Sequence, residues 1–128
     1  MKPEINNIIR IPCKSELDFF RFWLIFLKPF HSLSPKVLEV ASYILYTRYI
    51  MTKSVLDKDL LDDLVLGKSS RRQIAEYCGI PSNQLDVHIT NLRKAGFIVD
   101  NKVNPKYIPN YNNEDSFKFL IMFDITKE

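Results

Sequence analysis

The strongest constraint in this chain is the punctuation between residues 70 and 97. Ser70-Arg71-Arg72-Gln73 has the form of a capping box, a hydroxyl followed three positions on by a glutamine, and it predicts a helix start. That helix is short. Gly79 can take the left-handed conformation that closes a helix, and Pro81-Ser82 restarts the chain at once. Leu85, Ile89 and Leu92 then recur at helical spacing as the buried stripe of a second helix ending near Gly96. At Phe97-Ile98-Val99 the residue types change to those of a short strand. Two helices separated by so tight a turn must cross closely, and Ala75 supplies the small side chain that a close crossing needs.

Other elements flank this pair. Residues 5–11, with Ile5, Ile8, Ile9 and Ile11, read as a short strand or arm. Ser15-Glu16-Leu17-Asp18 opens a helix that runs to about Lys28, because Pro29 disfavours helical geometry in the residue before it. Nine of the eleven residues from Leu17 to Leu27 are apolar, and they are apolar nearly all round the helix. One stripe suffices for packing on a core, so later elements wrap this helix or another subunit covers it. Phe19, Phe22, Trp23 and Phe26 are the expected oligomer or partner interface.

Ser34-Pro35 starts a further helix toward Ile50, with Val37, Ala41, Ile44 and Leu45 inward and Lys36, Glu39 and Arg48 free to face water. A third starts at Ser54, buries Leu56, Leu60, Leu61 and Leu64, and stops at Gly67. Its Asp57, Asp59, Asp62 and Asp63 read as a solvated face rather than a divalent-metal site, since carboxylates along one helix rarely converge on an ion. Beyond an Asn- and Pro-rich loop, Phe117 to Ile125 alternates as a strand would, and it is expected to close a C-terminal hairpin with residues 97–99. The fold class is α+β, mainly helical. An N-terminal arm and apolar helix (1–32) precede the main domain (33–128).

Composition narrows the function. The chain has 128 residues, 46% hydrophobic and 26% charged, which suits one folded domain rather than a disordered or fibrous chain. It has three glycines and no phosphate-cradling glycine string, which excludes P-loop nucleotide hydrolysis. Cys13, Cys78, His31 and His88 are too few and too scattered for a zinc site. No nucleophile–base arrangement is evident, so no catalytic residue and no cofactor is expected. The apolar stretch at 17–27 is too short to span a bilayer, and no signal peptide is evident. The expected setting is the cytoplasm of a bacterial host cell, or a virion for a phage structural component. The net charge of +3 is unevenly placed: residues 67–106 carry +4, while 107–128 carry −2. An anionic partner is therefore expected to meet the middle third.

The string QIAEYCGIPSNQLDVHITNLRKAGFI at 73–98 resembles a winged helix-turn-helix. Ile74, Ala75, Gly79, Ile80, Leu85, Ile89, Leu92, Gly96, Phe97 and Ile98 fill the family's structural places. The helix beginning Leu33-Ser34-Pro35 resembles the first helix of MarR-like winged helices, so the likeness covers roughly residues 33–125. It implies a recognition helix at 82–95, with a C-terminal hairpin as the wing. Ser82, Asn83, Gln84, Val87, His88 and Asn91 would enter the major groove of double-stranded DNA. The amides suit adenine edges and Val87 suits a thymine methyl. Arg71, Arg72, Arg93, Lys94, Lys102 and Lys106 are the phosphate candidates.

Two features pull the other way. The outer face of the recognition helix carries Asp86 and has no arginine, and the wing loop ends in the acidic Glu114-Asp115. Tyr107 and Tyr111 in that loop are expected to pack on their own protein. His88 reads as a surface or partly packed histidine. The expectation is a DNA-binding winged helix, acting as a transcriptional regulator or replication-associated factor and dimerising through the apolar helix. The composition, rich in Asn, Ile and Lys, suits an AT-rich phage or plasmid genome. The alternative is a winged helix serving as an interaction subunit of a larger assembly such as a phage particle.

Overall fold

Ser15 starts α1 (Glu16–Phe26) by accepting the Asp18 N–H at 3.1 Å, as its place in the sequence predicts. The computed structural model describes residues 7–112 and 116–126. Residues 7–11 form no strand and are exposed, while Ile5 lies outside the described residues. α1 stops at Phe26 rather than Lys28. The chain breaks at Leu27 and makes a single further turn, α2 (Lys28–His31), with Pro29 where a helix tolerates it. His31 locks this corner: its Nδ1 accepts the Leu33 N–H at 2.9 Å, so Nε2 carries the proton and donates to the Leu24 carbonyl at 2.7 Å.

α3 (Pro35–Met51) is the axis of the molecule. α1, α4 (Lys58–Val65), α5 (Lys68–Cys78) and α6 (Ser82–Lys94) all pack against it, so apolar side chains are needed around most of its circumference. Val40, Ala41, Ile44 and Leu45 are fully buried, and the buried Ser42 hydroxyl is satisfied by donating to the Leu38 carbonyl at 2.9 Å. Phe20 and Leu24 of the first helix, with Leu27 just after it, belong to the same core as Leu85, Ile89 and Leu92 of α6. Each such side chain contributes roughly 1.5–3 kcal/mol by leaving water.

The third helix differs from the sequence reading. Asp57, not Ser54, caps α4, accepting the N–H groups of Asp59 and Leu60. Its inward residues are Leu61, Asp62 and Val65, whereas Leu56, Leu60 and Leu64 are exposed. At 100° per residue, Leu61, Asp62 and Val65 share one arc, and choosing it turns the Asp62 carboxylate toward Arg48, 3.7 Å away. Arg48 and Asp62 are therefore largely buried together, where the sequence suggested that both face water.

Gly67 is not a left-handed stop. Its φ is −74°, and it begins α5 directly after Leu66 ends α4. The expected capping box at Ser70 does not form. Ser70 lies within the first turn, buried, and its hydroxyl donates to the Leu64 carbonyl at 2.7 Å.

Both later helices end by the same device. Gly79 has φ 65° and Gly96 has φ 79°; in each case the glycine N–H and the next N–H fold back onto carbonyls of the last turn. After Gly96, β1 (Ile98–Val99) pairs antiparallel with β2 (Lys102–Val103), Ile98 opposite Val103 and Val99 opposite Lys102. This corrects the expected hairpin of 97–99 with 117–125. Asp100 and Asn101 both adopt positive φ, 54° and 59°, the conformation of a type I′ turn, so the partner strand comes from the next residues. Residues 117–125 form no strand. The fold is thus mainly helical with a small two-stranded antiparallel hairpin, an α+β arrangement. No helix among the described residues is long and apolar enough to cross a membrane.

Candidate nucleic-acid interface

α5 and α6 are joined by Gly79-Ile80-Pro81 alone, and Ala75 is buried where the two helices meet. Leu85, Ile89 and Leu92 fix α6 to the core, which fixes which residues face outward. Ser82, Asn83, Gln84, Val87 and Asn91 are all exposed, as the sequence predicts. Val87 is 58% exposed, an apolar group standing in a polar face. His88 is only partly exposed, with a buried Nδ1 that finds no hydrogen-bond partner among the described residues. The face is short of charge: Asp86 is its one carboxylate, and Arg93 and Lys94 stand exposed at the C-terminal end of the helix. Their charges there oppose the negative end of the helix dipole.

The phosphate candidates separate into groups. Arg71 is engaged within the molecule: its Nε donates to the Leu66 carbonyl at 2.9 Å, and its Nη1 lies 3.5 Å from Asp86. It joins the end of α4 to the start of α6. Arg72 is exposed beside it. A groove of about 440 Å³ between the start of α5 and the start of α6 brings Lys68, Arg71, Arg72 and Ser82 together around Asp86. Lys68 was not singled out from the sequence. Its signal was its place among the basic residues of the middle third, but its closeness to Ser82 depends on how the two helices abut.

Lys102 and Lys106 stand elsewhere. Lys102, on β2, reaches Asp59 of α4 at 3.9 Å. Lys106 lies over the rings of Phe30 and Tyr107 at 5.4 and 5.7 Å, a cation–π placement. Neither shares the groove of Arg71 and Arg72. Glu114-Asp115, the acidic end of the expected wing loop, lies outside the described residues.

The aromatic helix is covered in part by its own chain. Trp23 Nε1 donates to the Tyr107 carbonyl at 2.8 Å, and Phe117 and Phe119 pack edge-on against the indole at 5.7 and 5.0 Å. Phe19 meets Tyr111 and Phe117 at 4.8 and 5.0 Å. Tyr107 is buried and Tyr111 packs on Phe19, Phe20 and Tyr49, so both tyrosines serve packing. Phe22 and Phe26 stay 37% and 50% exposed, and Phe30, which the sequence reading passed over, is 64% exposed.

Two further groups have shifted acidities. Burial pushes the Cys78 thiol up to about 11, with the Glu39 carboxylate adding to the effect. Burial likewise raises the Tyr49 phenol to about 12, helped by Glu16. Both are held in their neutral forms. Among the described residues no three His, Cys, Asp or Glu side chains gather where a metal ion could sit. Comparison with protein-family models, with curated proteins and with solved structures found no match to this chain.

Proposed function

We propose that this protein is a winged helix-turn-helix that binds duplex DNA, with α6 as its recognition element, as a transcriptional regulator or replication-associated factor. The observation that carries the reading is the outer face of α6. Asn83, Gln84 and Asn91 offer amides and Val87 a methyl surface on a helix held rigid by Leu85, Ile89 and Leu92. Amides of this kind pair with adenine edges, and apolar groups meet thymine methyls. In this reading Arg72 and Lys68 at one end, with Arg93 and Lys94 at the other, contact phosphates along the groove walls; all four are exposed. Arg71 has a bracing role in this arrangement, since it is already bonded to Leu66 and Asp86.

Fluorescence anisotropy of an AT-rich duplex between about 50 and 200 mM salt tests the reading. Affinity should fall with salt at a log–log slope of roughly −0.9 per phosphate contacted, so four contacts give about −3.6. Arg72→Ala with Arg93→Ala should weaken binding to every duplex alike and flatten that slope by about two contacts' worth. Asn83→Ala or Gln84→Ala should instead change which sequence is preferred, by about 1–3 kcal/mol per lost pair. Absence of binding at the lowest salt would remove DNA from the reading. The second reading, an interaction subunit of a larger assembly such as a phage particle, is favoured by the exposed apolar residues Phe22, Ile25, Phe26 and Phe30.

A further inference from the structure

Residues 117–125 present an unresolved physical problem. Their apolar and polar positions alternate as in a strand, yet no strand partner exists for them among the described residues. Leu120, Met122, Phe123 and Ile125 are 57%, 62%, 88% and 80% exposed. Only the start of the segment is anchored, through Phe117 and Phe119 on the aromatic rings of α1. A segment of this kind, with free backbone groups and apolar side chains, is a template for pairing with another strand.

We propose that the occupant is the same segment of a second copy, paired antiparallel about Ile121 to form a two-stranded ribbon across a two-fold axis. The segment reads FKFLIMFDI, and it is self-complementary about its centre. In that register Phe117 stands opposite the second copy's Ile125, Phe119 opposite its Phe123, and Leu120 opposite its Met122. Lys118 stands opposite Asp124, and the two-fold repeats this pair. Like meets like at every apolar position, and each charge meets its opposite.

Neighbouring registers lose this match. Moving the axis to Leu120 sets Lys118 against Met122, and moving it to Met122 sets Asp124 against Leu120. A centre between Leu120 and Ile121 sets Phe117 against Asp124 and Phe123 against Lys118, and one between Ile121 and Met122 sets Phe119 against Asp124. Lys118 and Asp124 are both exposed, and neither has an ion-pair partner among the described residues.

The ribbon also accounts for the surface that the first helix leaves open. Opposed residues of an antiparallel pair share one face of the ribbon, so the second copy's Phe123 and Ile125 lie beside Phe119 and Phe117. That is the face already seated on α1, next to the exposed Phe22 and Phe26. The contact is isologous, so its two-fold pairing is complete at two copies.

The test is sedimentation equilibrium of the full chain combined with cysteine cross-linking. The expected species at micromolar concentration has twice the 15.1 kDa chain mass. Lys118→Glu and Asp124→Lys, made separately, should each raise the dimer dissociation constant about tenfold or more, since each sets two like-charged pairs across the axis. The two together should restore it to within about threefold of the parent, because the pairs are then only reversed. With Cys13 and Cys78 replaced by serine, a single cysteine is placed at 119, 121 or 123. Only Ile121→Cys sets the residue opposite itself, so oxidative cross-linking should peak there. A monomer at all concentrations, charge reversals without effect, failure of the double variant to recover, or cross-linking that does not peak at 121 would each overturn the proposal. Circular dichroism of every variant guards against simple misfolding.

Discussion

At the scale of single residues, Asn104 carries more than its size suggests. Its Nδ2 donates to the Gly96 carbonyl at 2.9 Å, its Oδ1 accepts the Lys106 N–H at 3.1 Å, and its own N–H reaches the Phe97 carbonyl at 2.8 Å. One amide therefore ties the end of α6 to both the hairpin and the turn after it. Asn104→Ala should cost about 1–2 kcal/mol, read as a lower urea midpoint, because two backbone groups lose their partners. Asn104→Asp keeps the acceptor and loses the donor, so it should fall between the two. Cys78 offers a separate test. A thiol raised to about 11 is thiolate in about one molecule in a thousand at pH 8. Folded protein should therefore react with a disulfide reagent at Cys78 far more slowly than urea-unfolded protein does. The rate should climb about tenfold per pH unit until the thiol's own pKa is approached; equal rates in folded and unfolded chains would contradict the burial seen here.

At the scale of elements, the pairing of Arg48 with Asp62 sets how α4 lies on α3. Asp62→Ala leaves a largely buried guanidinium without its carboxylate and should destabilise by about 3 kcal/mol, at the low end for such pairs because both side chains keep slight solvent contact. The double change Arg48→Met with Asp62→Leu should lose less, and a denaturant-melt cycle over the three variants measures the coupling. This pair also marks where sequence reasoning ends. The start of the first helix at Ser15 and the closures at Gly79 and Gly96 were legible because their chemistry is local, within five residues of chain. The inward face of α4 was not, because Leu60/Leu64 and Leu61/Val65 are both credible stripes and the choice depends on a cation in another helix. The outer face of α6 was legible by subtraction from its buried stripe. Lys68 in the groove and the internal bonds of Arg71 were not, since both depend on how α5 meets its neighbours. The partner of the short strand is not legible either, because Asp100-Asn101 takes left-handed geometry without glycine while the alternation of 117–125 offers a competing strand.

At the scale of the whole molecule, the first helix and the last described residues form one aromatic layer around Trp23, the only tryptophan. Phe119→Ala should open the indole edge to water, shifting its emission to the red with a stability loss of about 1 kcal/mol, because that ring is half exposed already. Emission unchanged in that variant would place Phe119 away from the indole in solution. The bond from Trp23 to Tyr107 closes a separation of 84 residues, so the covering of α1 waits on residues synthesised well after it. Translation makes this a matter of time. At about 5–20 residues per second, a nascent chain carries an incompletely covered aromatic helix for roughly 4–17 s before Tyr107 is even polymerised. During that interval the uncovered aromatic face is open to aggregation and to chaperone binding.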